Sequence, residues 1–368
     1  MDPSSSTVAL GRTELRISRV VFGAMALSSS SREPVQRERT IRAAVDAGIS
    51  SIDTAPLYDF GACEELLGQA LVGIREHVQI LTKVGLRWDD PTAHGQVLFP
   101  FVDASGRPQA VRRNSRPESI RLEVERSLQR LRVEVLDLVQ VHHPDLDTPI
   151  EDTMGALAEL LRAGKLRAIG VSNYDPTQMR RAQAALGSIP LASNQVQYNL
   201  LERWPETGIL PLARSEQIGV LAYSPLAQGV LSGNTRRDHF ASDDGRRNEP
   251  PFHPKNLARV AAAAESSLIP IARAHDATVA QIALAWLLAQ PGLSAVIVGA
   301  SSAEQAKLNA RVMTLSLAQA EEAQIRSAFA SVSLDHHAGL DRVTRARRKI
   351  EHKVERVIER VRRHLPFG

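Results

Sequence analysis

The sequence predicts an α/β chain folded as a (β/α)8 barrel of the TIM type, with a β-hairpin ahead of it and a helical extension behind it. Eight short β-branched runs alternate with amphipathic stretches, and the eight units fit into about 300 residues, the span of one such barrel. No G-x-G-x-x-G follows any run, which counts against an open, doubly wound sheet. At 368 residues and 43% hydrophobic, with aromatics at only 4%, the chain has the material for a large aliphatic core.

In chain order, VALGRTELRISR reads as a small hairpin placed to plug the barrel floor. The eight runs are VVFGAM (20–25), ISSID (49–53), VQILTK (78–83), VLDLVQVHH (135–143), RAIGVSN (167–173), ASNQVQYN (192–199), GVLAYSPL (219–226) and AVIVGAS (295–301). Between them, Thr148, Pro149 and Glu151 read as N-cap, N1 and N3 of a helix that Gly164 ends, and Ser115 with Glu118 repeats the capping-box spacing. Two insertions break the rhythm. Residues 88–117 follow the third strand and predict a β-hairpin turning at DASG, and residues 228–252 follow the seventh. Both leave the C-terminal ends of strands, where a barrel carries its active site, so both are candidate lids or substrate walls. The expected division is a barrel over residues 8–330 and a basic amphipathic helical extension over 331–368.

Composition excludes several classes. No basic segment followed by an apolar run opens the chain, and no stretch reaches the roughly 18 apolar residues of a membrane span, so a cytoplasmic protein is expected. A single cysteine, Cys63, rules out an internal disulfide and any multi-cysteine metal site, and no metal site is expected. The pI of 9.4 invites a nucleic-acid reading, but from residue 340 onward there are ten Arg or Lys against four Asp or Glu, a net of +6 where the whole chain carries +4. The body is therefore slightly acidic, which argues against a nucleic-acid channel in it.

The chemistry gathers at the strand ends. Asp53 closes the second run and Tyr58 follows in its loop; Lys83, one of six lysines against 39 arginines, ends the third; His142 ends the fourth. In a barrel these converge on one mouth. An ammonium beside a phenol stabilises the phenolate and is expected to lower the tyrosine's pKa, while a carboxylate keeps a buried lysine charged. A histidine nearby can hydrogen-bond a substrate oxygen. Each residue alone has an ordinary structural role, but together at three consecutive strand ends they make a proton donor for a carbonyl.

With these residues in view, the chain resembles the aldo-keto reductase superfamily, in particular its bacterial NAD(P)-dependent members with a long loop after the third strand. The likeness runs from LGRTELRISRVVFGAM to VIVGASSAEQAKLN and includes IDTAPLY, LTK, LDLVQVHHPD, GVSNY, NQVQYN and YSPLAQGVLSG, in order. The resemblance implies the tetrad Asp53, Tyr58, Lys83 and His142, with Tyr58 as general acid. His142 is chosen over His143 because the family pattern H-x-P-D begins there, leaving His143 to face substrate. It implies a nicotinamide cofactor that gives hydride to an aldehyde, ketone or sugar carbonyl. Ser172, Asn173 and Gln195 would hold the carboxamide and Tyr223 would stack on the ring. Ser224, Pro225, Leu226 and Arg246 would line the pyrophosphate path, and Gly299, Ser301, Gln305 and Asn309 the adenosine end. Met25, Leu27, Trp88 and Tyr58 are expected pocket walls.

Three positions depart from the family pattern. Gly299 and Gln305 stand where many members carry basic residues for the 2′-phosphate of NADP, and Leu308 stands where a glutamate is common. Arg246, in DDGRRNEPPF, sits where related serine-rich members place an arginine, so NADP(H) is favoured with NAD(H) as the alternative.

Val343, Ala346, Ile350, Val354, Val357, Val361 and Leu365 form one stripe of a long basic helix outside the usual family core. It is read as packing on its own barrel or as a partly frayed extension, with a homo-oligomer contact as the alternative. The tail also leaves room for a second class of function, a cofactor-binding regulatory or interaction subunit on the same barrel. Tyr58 and Lys83 together argue against that, since such a role needs neither.

Overall fold

The computed structural model describes residues 6–27, 33–90, 94–103, 105–233 and 250–335. All eight predicted runs form strands: β1 (Val20–Gly23), β2 (Ser51–Asp53), β3 (Gln79–Val84), β4 (Leu138–Val141), β5 (Ile169–Ser172), β6 (Leu191–Gln197), β7 (Gly219–Tyr223) and β8 (Ala295–Val298). They pair in parallel and in chain order, and β8 pairs back onto β1 through Val298 and Phe22, closing the barrel.

Closure explains why the strands read as continuous apolar runs, because each is buried on both faces. Val21, Leu81, Leu138, Leu221 and Ile297 share an interior cluster with Leu10 and Ile17 of the N-terminal segment. Ile52, Ile80, Val139, Val171, Val196 and Val220 belong to the outer core beneath the helices.

The expected hairpin pairs Thr7–Ala9 with Arg16–Ser18. Its Leu10 and Ile17 are fully buried and fill the end of the barrel where the strands begin. Gly219, the first residue of β7, makes room for this plug: a Cβ there would lie 2.4 Å from Leu10 Cδ1.

The predicted caps are corrected by the structure. Helix Ile150–Arg162 is preceded by Pro149 at the cap, and the Thr148 hydroxyl donates to Asp145 Oδ2 at 2.8 Å rather than receiving a helix amide; Gly164, at φ 74°, does sit just past the end. Helix Pro117–Leu131 is capped at Arg116, one residue later than the Ser115 spacing implied. Proline at the first helical position fixes φ and has no N–H to satisfy, so it sets the start there. Full capping boxes occur instead at Asp175 with Gln178 and at Thr278 with Gln281.

The first insertion folds as expected. Val97–Val102 pairs antiparallel with Pro108–Arg113, which also pairs with Leu86–Arg87. Asp103 Oδ1 receives the Ser105 and Arg107 amides at 2.9 and 3.0 Å, making the turn. Most of the second insertion, with Arg246, and the apolar stripe of the tail lie outside the described residues. Among the described residues, no helix is long and apolar enough to cross a membrane.

Candidate active site

The ends of β2, β3 and β4 bring the four expected residues together. Lys83, fully buried, donates to Asp53 Oδ1 at 2.6 Å, to Thr54 O at 2.9 Å and to the Tyr58 hydroxyl at 3.2 Å, so all three ammonium protons have partners. The Asp53–Lys83 register follows from parallel pairing, since Asp53 lies beside Leu81 and Lys83 is the next inward-facing position on β3. Tyr58 opens a short helical turn whose next two residues, Asp59 and Phe60, both sit at φ 52°. Left-handed backbone at two consecutive non-glycine residues is strained and folds this loop back over the mouth. His142 meets Tyr58 edge-on, ring centroids 6.1 Å apart, and His143 stacks on His142 at 5.4 Å.

The electrostatics differ in one respect from the sequence expectation. Burial raises the Tyr58 phenol above its ordinary value and outweighs the lowering by Lys83, so the tyrosine holds its proton firmly at neutral pH. Lys83 goes as expected: burial pulls it down, but Asp53 and then Tyr58 push it above the usual lysine range. Burial, followed by Lys83 and His143, holds His142 well below the ordinary imidazole value, so its ring is neutral. His143 is lowered to about 4 by burial, Arg113 and Lys83.

The polar residues of β5 to β7 form one network beside the tetrad. Gln195 Nε2 donates to Asp53 Oδ2 at 2.8 Å. The Ser172 hydroxyl and the Asn173 amide both donate to Gln195 O at 2.9 Å. Asn173, at φ 62°, donates through Nδ2 to His142 O and to the Ser172 hydroxyl at 3.1 Å each, and accepts from the Tyr223 hydroxyl at 3.0 Å. This set fits a primary carboxamide: among the described residues Gln195 Oε1 and the second lone pair of Asn173 Oδ1 remain as acceptors for an –NH2 group. Beyond Tyr223, Ser224, Ala227 and Gln228 all have positive φ, and Pro225 is buried while Leu226 is partly exposed. At the end of β8, Gln305 Oε1 accepts from the Ser301 amide and hydroxyl at 2.7 and 2.8 Å, and Asn309 donates to Gly299 O at 3.2 Å. Gly299, Ser301 and Gln305 therefore gather around the N-terminus of helix Ala303–Ala310, capped by Ser302, where backbone N–H groups favour anions, and Asn309, in the last turn of that helix, is tied to Gly299 O.

The wall residues divide. Met25 is 65% exposed and Trp88 partly so, whereas Leu27 is 1% exposed and belongs to the outer core, so Leu27 is not part of an accessible wall. Two aromatic residues were missed. Phe60 stacks on Phe101 of the insertion with centroids 4.8 Å apart and meets Trp88 edge-on at 5.6 Å. In a chain this poor in aromatics, YDFG and FPFV were the available signals. Cys63 is buried and its thiol donates to Ala24 O at 3.3 Å, a packing role.

A parallel eight-stranded barrel with a buried Asp–Lys–Tyr cluster at its C-terminal rim places the protein among the barrel oxidoreductases. It belongs to the Aldo/keto reductase family, whose match spans residues 19–330. Among its relatives is the NADH-specific methylglyoxal reductase of Escherichia coli, 34% identical over 328 residues, 87% of this chain and 97% of that one. The Bacillus subtilis aldo-keto reductase YhdN is 36% identical over 299 residues, 79% of this chain and 84% of that protein. The solved glycerol dehydrogenase AKR11B4 of Gluconobacter oxydans superposes with a TM-score of 0.79 at 36% identity, covering 90% of this chain and 97% of that one. The protein is thus an oxidoreductase of a family that uses nicotinamide cofactors.

Proposed function

We propose that the protein is an NAD(P)H-dependent carbonyl reductase converting an aldehyde, ketone or sugar carbonyl reversibly to the alcohol. The observation that carries this reading is the shared Lys83 ammonium, 2.6 Å from Asp53 and 3.2 Å from the Tyr58 hydroxyl. Tyr58 is the general acid, handing its proton to the carbonyl oxygen as negative charge develops there. Burial keeps that proton on the phenol until it is needed, and the adjacent ammonium stabilises the phenolate left behind. Asp53 keeps Lys83 charged and in place. Neutral His142, edge-on to Tyr58, orients the carbonyl oxygen by hydrogen bonding.

When bound, the nicotinamide cofactor supplies the hydride. Ser172, Asn173 and Gln195 would hold its carboxamide, Tyr223 its ring, Ser224, Pro225, Leu226 and Arg246 its pyrophosphate, and Gly299, Ser301, Gln305 and Asn309 its adenosine. NADP(H) rests on Arg246. NAD(H) is favoured by the uncharged Gly299 and Gln305 and by the name of the E. coli relative.

Following nicotinamide absorbance with NADH and with NADPH over a panel of aldehydes and ketones tests both points. Turnover is expected with at least one reactive aldehyde; cofactor binding with no turnover on any of them would sink the reading. If Arg246 meets a 2′-phosphate, Arg246→Ala raises KM for NADPH roughly tenfold or more and leaves KM for NADH nearly as it was, in line with a charge-assisted contact.

A further inference from the structure

Arg113 ends the return strand of the insertion, Pro108–Arg113, whose register sets it opposite Leu86, just beyond Lys83 in sequence. The two following residues fasten it there. Asn114 N donates to Gly85 O at 3.0 Å and Ser115 N to Asp145 Oδ2 at 2.9 Å, so the chain at Arg113 is held between the ends of β3 and β4, beside Lys83 and the His142–His143 pair. The side chain is half-buried, yet among the described residues its one hydrogen bond is a long one, from Nη1 to Gln96 Oε1 at 3.4 Å, and its buried Nε has no partner there.

Among the described residues no carboxylate pairs with Arg113, and the nearby ones are engaged elsewhere: Asp90 Oδ2 accepts from Asn114 Nδ2 at 3.0 Å. Asp89 pairs with Arg87 and Arg126, Asp103 with Arg107, and Asp145 receives the Ser115 and Asp147 amides and the Thr148 hydroxyl. A half-buried guanidinium without a counter-ion is unfavourable, and its planar fork of donors matches a carboxylate or phosphate. The charge is felt at the site: after burial, Arg113 is the next largest influence lowering His143. The same hairpin contributes Phe101 to the aromatic group with Phe60 and Trp88, so it brings an apolar surface and a cation to one rim.

We propose that Arg113 is a specificity residue that anchors an anionic group, a carboxylate or a phosphate, on the carbonyl substrate. This rests on the carbonyl-reducing reading above and names the substrate class: an anionic aldehyde or ketone with an apolar or aromatic body.

The test compares 4-formylbenzoate and 4-formylphenyl phosphate with benzaldehyde, in wild type, Arg113→Met and Arg113→Lys. The ratio of kcat/KM for anionic over neutral substrate is expected to fall about 10- to 100-fold in Arg113→Met, chiefly through KM, with partial recovery in Arg113→Lys. A fall confined to one anion identifies carboxylate or phosphate as the natural group. An unchanged ratio for both overturns the proposal. Because intrinsic aldehyde reactivity is common to both proteins, it cancels from this comparison. Calorimetric titration with benzoate and phenyl phosphate, which cannot be reduced, separates the two readings. Weakened anion binding in Arg113→Met together with no turnover of any aldehyde would remove the reductase reading and leave the anion site. Equal binding by both proteins, or no binding of either anion by wild type, would remove the anion site whatever the turnover.

Discussion

Gln195 on β6 donates to Asp53 Oδ2 at 2.8 Å, across 142 residues of chain, while Lys83 holds Oδ1 at 2.6 Å. Both oxygens of the buried carboxylate are fixed, one by each side of the barrel mouth. Gln195→Leu leaves Oδ2 without this donor and is expected to destabilise the fold by about 1–3 kcal/mol, the cost of an unsatisfied buried acceptor. A urea midpoint equal to wild type would show that the bond adds nothing.

Lys83 and Asp53 form a buried pair whose members should not be separable. Lys83→Met leaves an uncompensated carboxylate and is expected to cost about 3–5 kcal/mol, part of which Lys83→Met with Asp53→Asn recovers. If the double variant is as unstable as the sum of the two single ones in urea unfolding, the pair is not coupled.

For Tyr58→Phe the expectation is a loss of reduction of about 10²- to 10⁴-fold in kcat, the usual range for removing a general acid. Cofactor affinity, read by fluorescence quenching, should be almost unchanged. Full activity in the variant would remove Tyr58 as the acid.

His142 is neutral in the fold, held well below its ordinary value by burial, Lys83 and His143. Its protonation therefore does not interrupt catalysis between pH 6 and 8. The pH profile of kcat/KM should show no imidazole inflection near 6.5 on that limb; one that vanishes in His142→Asn would contradict this assignment.

Glu123, behind β3, is buried and raised to about 8; burial is the main cause, opposed by Arg87 and by the Gly85 amide at 3.1 Å from both its oxygens. The folded state thus keeps a proton that the unfolded chain has released, so stability falls as pH rises towards 8. His142 and His143, lowered in the fold, act only below about 6.5, where the unfolded imidazoles gain protons. Between pH 6.5 and 8 the decline therefore belongs to Glu123. Urea midpoints should drop across that window in wild type and stay flatter in Glu123→Gln; parallel profiles would refute it.

The sequence by itself determined the strands, their order and the meeting of Asp53, Tyr58, Lys83 and His142 at one mouth. Each strand is a short apolar run buried on both faces, and parallel alternation leaves a barrel as the arrangement that hides all eight. Asp53, Lys83 and His142 were legible because polar residues terminating apolar runs are conspicuous in one dimension. Helix starts were misplaced by a residue in two places: at Pro117, where proline takes the first helical position and overrides the Ser115 spacing, and at Pro149, which is itself the cap.

Only the tertiary structure decided how the site is balanced. The net direction at Tyr58 depends on how deeply burial opposes the ammonium, and burial is a property of the packed mouth. The Gln195–Asp53 bond, the Phe60–Phe101–Trp88 group and the approach of Arg113 to His143 each join segments far apart in the chain. Leu27, apolar and near the mouth in sequence, was drawn into the core instead. No local pattern encodes such contacts, because side chains from different strands meet only once the barrel closes.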